Sequence, residues 1–329
     1  MTNLTRTILA TCLAVIIFLL PDTAIATHGI TPDDHRCMAA GDTGVITTAQ
    51  LTVLTLNMAH GRKDAFNQMF QKTSTTRRNL EEITSFLDNS RADLIALQEA
   101  DSPSRWSGKF NHVDFVSEKS TYPCRLHAHH AHSYMYDFGT ALLSRVPYVE
   151  KLSHTFEPSP PTTNKGFVMG KVRWNPGGRL QQPVIVSVIS VHLDFSRKKV
   201  REAQTEEMRI MLAGVSPPVI ILGDFNTDWS KDESVLRAIA SNSNLNVYQP
   251  EATGLGTYKS GKHRLDWILI SKDLEFVSYE VPQVVLSDHL PVRARIRLLE
   301  NPVEASNSSI SENDTIISHR SSKSEKADQ

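Results

Sequence analysis

The sequence predicts a layered α/β sandwich, because segments with strand length and period are interspersed with amphipathic helical segments along a chain long enough to bury a full core. Some strand-like runs are apolar throughout and others alternate, as expected for sheets with one or both faces covered. The helical segments do not follow every strand in strict order, so the sheets must be buried partly by helices and partly by each other. With 329 residues, 40% of them hydrophobic, one large domain is favoured over two small ones. The formal net charge of −1 provides no global basic field that would draw the protein to nucleic acid or an anionic membrane, although a local basic groove is compatible with such a total.

Residues 1–26 read as a signal peptide. Arg6 supplies a positive start, Ile8 to Leu20 is almost wholly apolar, and Ala24-Ile25-Ala26 fits the small-x-small cleavage pattern. The run is shorter than a spanning helix needs, so the mature chain is expected near Thr27, secreted or periplasmic, without an integral membrane span and monomeric. Cys12 precedes most of the apolar run and is not read as a lipidation site. Cys37 and Cys124 then remain as an even pair that can close one disulfide in an exported protein, or stay as two buried thiols. Residues 27–50 have mixed polarity and no sustained period, which predicts an extended lead-in.

The core domain spans 51–298. Strands are expected at Leu51 to Leu56, Asp93 to Leu97, Thr140 to Ser144, Phe167 to Trp174, Val184 to Leu193, Val219 to Leu222, Trp267 to Ser271 and Val292 to Leu298. Arg77 to Asn89 reads as a helix with Leu80, Ile83, Phe86 and Leu87 on one face, and Val200 to Ala213 as a second with Ala203, Met208 and Met211 inside. Residues 299–329 turn to Ser, Asn, Glu, Lys and Asp and are expected to be a disordered tail. Two acceptor triplets there, at Asn307 and Asn313, matter only if the source glycosylates.

Polar groups cluster where strands begin or end. Asn57 follows Leu51 to Leu56, Glu99 follows Leu94 to Gln98, and His192 interrupts an apolar run; Asp224 and Asn226 follow Val219 to Gly223, and Asp288 and His289 precede Val292 to Leu298. Gly223 is expected to let the chain turn, leaving Asp224 and Asn226 on the same side. If the strands at 219 and 292 are antiparallel neighbours, these groups meet at one sheet edge. Cleaving a P–O bond near neutral pH requires a water nucleophile, a base, stabilisation of the phosphoryl oxygens and usually a hard cation. Residues of all those types are present.

Together, Leu56-Asn57, Leu97-Gln98-Glu99, Gly139 to Ser144, Val191-His192-Leu193, Gly223-Asp224-Phe225-Asn226, Arg264 to Leu269 and Ser287 to Val292 resemble the endonuclease/exonuclease/phosphatase superfamily. The resemblance spans about residues 50 to 298. It implies a four-layer α/β/β/α sandwich of two packed mixed sheets, DNase I-like, with the active site at one end. By that resemblance Glu99 ligates Mg²⁺ or Mn²⁺ with Asn57 and Asp288 close by, an oxygen-only set suited to a hard ion. Asp224 activates the water, Asn226 holds a phosphoryl oxygen or fixes that Asp, and Asp266 orients His289 so that His289 and His192 stabilise the transition state. Protonation of the leaving oxygen falls to His192 or to water on the metal.

Some nucleases of the superfamily carry Tyr where this chain has His192. The run Asn164-Lys165-Gly166 resembles a segment of sphingomyelinase-type phospholipases and of inositol polyphosphate 5-phosphatases, which suggests substrate binding by Asn164 and Lys165, against the simpler alternative of an ordinary turn. The chain lacks the Pro-Ala-Trp-x-Asp-Arg pattern of the inositol phosphatases. The implied activity is a phosphodiesterase of sphingomyelinase or phospholipase C type; a secreted nuclease and a non-catalytic binding protein on the same fold are the alternatives. Arg125 to His132 holds four imidazoles and reads as an exposed loop, with a metal or phosphate site as the less favoured alternative. His60-Gly61-Arg62 and Arg77-Arg78 are candidates for a substrate groove or for solvated surface.

Overall fold

The computed structural model describes residues 37, 44–68, 71–230 and 235–299. The signal peptide, Cys12, most of the lead-in and the tail with its acceptor triplets lie outside them. Six strands form one mixed sheet: β2 (Leu51–Asn57), β3 (Leu94–Asp101), β4 (Cys124–His132), β5 (Asp137–Ser144), β12 (Leu274–Glu280) and β13 (Val292–Leu298), in the order β12-β13-β2-β3-β5-β4. The second sheet contains β1 (Val45–Ile46), β6 (Glu150–Thr155), β7 (Gly166–Trp174), β8 (Val184–His192), β9 (Val219–Asp224), β10 (Leu245–Val247) and β11 (Asp266–Ser271). Its order is β1-β7-β8-β9-β11-β10, with β6 also paired to β7.

Side-chain alternation produces the layers. Leu51 and Val53 on β2 join Leu94, Leu142, Val168, Val188, Leu222 and Ile268 in a core between the sheets. Leu54 and Leu56, on the opposite face, pack under α1 (Thr73–Ser90) and α2 (His112–Lys119) with Leu80, Ile83, Leu87 and Val113. Likewise Ile189, Ile221 and Leu269 meet Met208, Leu236 and Ile239 from α3 (Lys198–Met211) and α4 (Val235–Asn242). This is the expected α/β/β/α sandwich. β13 behaves as its sequence indicates: Val292, Ala294 and Ile296 enter the inner core, while Arg293 and Arg297 pair across β12 with Glu280 and Glu275. Among the described residues no helix is long and apolar enough to cross a membrane.

Two expectations about strands need correction. β9 and β13 are not neighbours: β9 lies between β8 and β11, whereas β13 lies between β12 and β2 in the other sheet. Their polar groups therefore meet across the sandwich. Gly223 does not make a turn either, since β9 runs on through Asp224. A Cβ on Gly223 would lie 2.0 Å from the carbonyl oxygen of Val191, so the glycine is needed for close approach of β8. Gly223→Ala is expected to destabilise the fold by at least about 3 kcal/mol in urea unfolding, because backbone cannot step aside as a side chain can.

In α3, Arg201 and Gln204 rather than Ala203 face inward. Gln204 accepts from the Asp194 N–H at 2.8 Å and Arg201 donates to the Asp194 carbonyl at 2.9 Å, so two polar side chains are buried to satisfy a loop backbone. The His-rich segment is also not a loop. It forms β4, with His127 and His130 buried. Cys37 and Cys124 form a disulfide across 87 residues, fastening the lead-in to the start of β4. Cys124→Ser is expected to lower unfolding stability by roughly 2–4 kcal/mol in denaturant titrations, as loss of a long cross-link relaxes the unfolded chain.

Candidate active site

Parallel pairing aligns the carboxyl ends of β2 with β3 and of β8 with β9, while antiparallel β11 and β13 begin at that same end. Asn57, His192 and Asp224 are therefore the last residues of their strands, and Asp266 is the first of β11. Glu99 does not end β3. It sits within it at an irregularity between Gln98 and Ala100, with φ of 49°.

Asp224 is the hub. Its Oδ2 accepts from Asn57 Nδ2 at 3.1 Å, a bond joining the two sheets, and its Oδ1 accepts from the Asn226 N–H at 2.9 Å. His192 Nε2 and His289 Nε2 stand 3.5 and 3.9 Å from Oδ2. His289 Nδ1 is hydrogen-bonded to Asp266 Oδ2 at 2.8 Å, and that oxygen also accepts from the Thr257 hydroxyl. Asn226 donates its side-chain Nδ2 to the Leu193 carbonyl, so the backbone N–H of Asn226 is what fixes Asp224. Asp288 pairs with Arg62 Nη2 at 2.7 Å. Lys165 is buried and its charge acts on Glu99, Asp224 and Asp194, while Asn164 lies half-buried beside it in the chain. Gly166 explains the rest of that run: a Cβ there would lie 2.3 Å from the His154 carbonyl oxygen.

Burial dominates the electrostatics and sets the residues apart. It pushes Asp224 up to about 7, opposed by the His289 charge and reinforced by Asp266. Burial disfavours the His289 cation, but Asp266 and Asp224 overcome this and raise it to about 10. Burial, aided by the Lys165 charge, holds His192 well below the ordinary histidine value. Glu99 is largely withdrawn from solvent too, yet the charges of His60, Lys165 and His289 around it keep its carboxyl well below the usual range. The cleft thus holds a neutral His192, a charged His289, an ionised Glu99 and a base poised near neutrality.

Among the described residues one trio of metal-capable side chains brings ligand atoms within 4.8 Å of one another: Asp224, Asp266 and His289. It differs from the oxygen-only set of Glu99, Asn57 and Asp288. Within the trio, His289 and Asp266 are already hydrogen-bonded to each other and Thr257 takes up the same carboxylate oxygen. Glu99, held ionised with its side chain 20% exposed, offers a hard ion the better-suited donor.

The sequence left His60-Gly61-Arg62 open between substrate groove and solvated surface; His60 and Gly61 are buried, and His60 lies between Glu99 and Asp101. Arg62 holds Asp288, whereas Arg77 is remote from the cluster's bonds and stacks over Phe110 at 4.1 Å. Apolar context marked the core strands, but no spacing tied His60 to Asp101 or Thr257 to Asp266. Two of the four β4 imidazoles, His127 and His130, are structural. His127 bonds the Ala100 carbonyl and His130 the Thr155 and Thr140 hydroxyls, and burial holds both at about 3, so they are neutral core groups.

The sequence matches the family model described as Endonuclease/Exonuclease/phosphatase family over residues 54–289. No curated protein sequence matches it. Solved structures share the fold. An endonuclease/exonuclease/phosphatase from Beutenbergia cavernae has a TM-score of 0.59 at 16% identity, over 77% of this chain and 73% of that one. A mannosyl-6-phosphatase from Bacteroides thetaiotaomicron scores 0.55 at 18% identity, over 75% and 99%. Beta toxin from Staphylococcus aureus scores 0.53 at 22% identity, over 74% and 99%.

Proposed function

The chain belongs to the endonuclease/exonuclease/phosphatase family, and we propose that it is an exported, divalent-metal-dependent phosphodiesterase whose substrate carries a phospholipid headgroup. The observation that carries the reading is the buried Asp224 carboxylate, held by Asn57 and the Asn226 N–H and faced by two histidines in different protonation states. Such a carboxylate is half ionised near neutral pH and can take a proton from water on the reacting side.

His289, kept charged and oriented by Asp266, offsets the negative charge that develops on the phosphoryl oxygens. His192 is neutral, so it serves as a hydrogen-bond donor to phosphate in place of the cationic role its motif implies. Lys165, just before β7, adds positive charge that acts on Glu99 and Asp224. Asn226 has its side chain bonded to Leu193, which favours its role as a positioner of Asp224 over phosphate contact. Glu99 is the residue best suited to hold Mg²⁺ or Mn²⁺, with Asn57 and Asp288 as further oxygen donors, the latter already paired with Arg62 through Oδ2. When bound, such an ion adds charge stabilisation on the phosphate.

The leader sequence, the near-neutral total charge, His192 and the Asn164-Lys165-Gly166 run support a lipid phosphodiester over nucleic acid. The test is hydrolysis by the mature protein of sphingomyelin, phosphoinositides, plasmid DNA, and mono- and bis-nitrophenyl phosphate with Mg²⁺. Lipid turnover that EDTA abolishes and added Mg²⁺ or Mn²⁺ restores is the expected result. DNA cleavage without lipid turnover would make the chain a nuclease, monoester hydrolysis alone a phosphatase, and inertness on all of them a binding protein. Full activity in EDTA would remove the metal from the mechanism.

The two shifted groups also set a pH profile. The ionised fraction of Asp224 grows as pH passes about 7, and the charged fraction of His289 falls as pH approaches about 10. A bell-shaped kcat/KM with limbs near those values is expected in a buffered pH series. A rate that is flat from pH 5 to 9 contradicts the assignment of Asp224 as base.

A further inference from the structure

We infer that His60 is a positioning residue that fixes the Glu99 carboxylate in the orientation needed to receive a divalent cation; the inference rests on the reading of Glu99 as ligand. The His60 ring lies between two acids. Its Nδ1 is bonded to Asp101 Oδ1 at 3.0 Å and its Nε2 stands 3.2 Å from Glu99 Oε2. Asp101 is fully buried, and its second oxygen faces His112 Nδ1 at 3.6 Å. The ring plane is set by edge-on packing against Phe138 and Trp106, with centroids 4.7 and 5.8 Å away.

The short turn that carries His60 is itself clamped. The Ala59 N–H donates to Asn57 Oδ1 at 3.0 Å, and the Gly61 carbonyl accepts from Asn79 and Gln71. His60 and Glu99 both hold positive φ, at 57° and 49°, conformations that are strained for a non-glycine residue and persist only where the surroundings enforce them. Two such residues aimed at each other, with Asp101 behind, form a braced carboxylate. The Glu99 carboxylate thus has Oε2 engaged from the protein side while its side chain stays 20% exposed, the kind of support that outer-shell partners give to metal ligands.

The experiment is Mn²⁺ titration of the metal-stripped protein, by calorimetry and by the Mn²⁺ electron paramagnetic resonance signal, with no substrate present. His60→Ala is expected to weaken Mn²⁺ binding by about 10- to 100-fold. His60→Gln is expected to recover most of the loss, since its amide N–H can reach the place of Nε2. His60→Gly, which suits the left-handed backbone, is a second variant with the same expected loss; it melts lower because Asp101 is left buried without its partner, and a cooperative melt checks that it is folded. Glu99→Gln is expected to weaken binding at least as much. Binding within about twofold of wild type for the Ala and Gly variants, or a Gln variant no better than Ala, overturns the positioning role. If Glu99→Gln itself binds Mn²⁺ as wild type does, the ligand assignment fails and this inference with it.

Discussion

Asp224→Asn lowers kcat toward phosphodiesters by about 10²–10⁴-fold, the span a positioned general base supplies, while the protein remains folded. The substitution is close to isosteric, and Asp224 is buried, so replacing a carboxylate that ionises only at about 7 removes a desolvation cost along with the base. Both of its anchors can persist in part. The Asn226 N–H still finds an amide oxygen, though only one of the two carboxylate acceptors remains for it and for Asn57 Nδ2. Melting temperature should therefore hold or rise while the rate collapses, and a thermal melt run beside the assay separates the two effects. A variant that keeps wild-type kcat removes Asp224 from the chemistry.

His289→Ala is the second large effect, and it is expected to act in two ways. Direct loss of a cation aimed at the phosphoryl oxygens lowers kcat by about 10²–10³-fold. The same deletion strips Asp224 of the charge that holds its carboxyl down and leaves Asp266 as a second buried acid beside it, so the base should titrate higher still. The acid limb of the pH–rate profile accordingly moves upward from about 7, with some activity recovered under alkaline conditions. A limb that stays in place would show that His289 is electrostatically remote from Asp224. Stability should fall as well, since removing one partner of a buried ion pair leaves an uncompensated charge.

Much of the sandwich is legible in the sequence because its inner strands are apolar enough to mark themselves. Leu51 to Leu56, Phe167 to Trp174, Val184 to Leu193 and Val292 to Leu298 each appear within a residue or two of the structural bounds. The strands that escape notice are those whose pattern is blurred. β4 reads as a polar His-rich stretch because two of its imidazoles spend their polarity on internal hydrogen bonds, and β6 and β12 lie at sheet edges with mixed faces. The chemical residues stand out because each directly abuts an apolar strand. What sequence could not supply was which sheet each strand joins, and hence that Asn57 and Asp224, 167 positions apart, bond to each other. The braces behind the site were equally hidden, since Asp101, Thr257 and His60 sit beside no diagnostic spacing.

The bond from Asn57 to Asp224, together with Gln98 donating to Ser190 at 3.0 Å and Ser190 to the Leu97 carbonyl at 3.1 Å, ties one sheet to the other at the depth of the cleft. Catalytic geometry is therefore a measure of shear. The proposed base Asp224 rides on β9 with His192 and Asp266 on β8 and β11, whereas Glu99 rides on β3 and His289 stands just before β13 in the other sheet. The interleaved side chains of the inner core and bonds such as these hold the two slabs in register. A cavity opened midway down the sandwich can detune the site without touching it, because the error is transmitted as displacement between two plates.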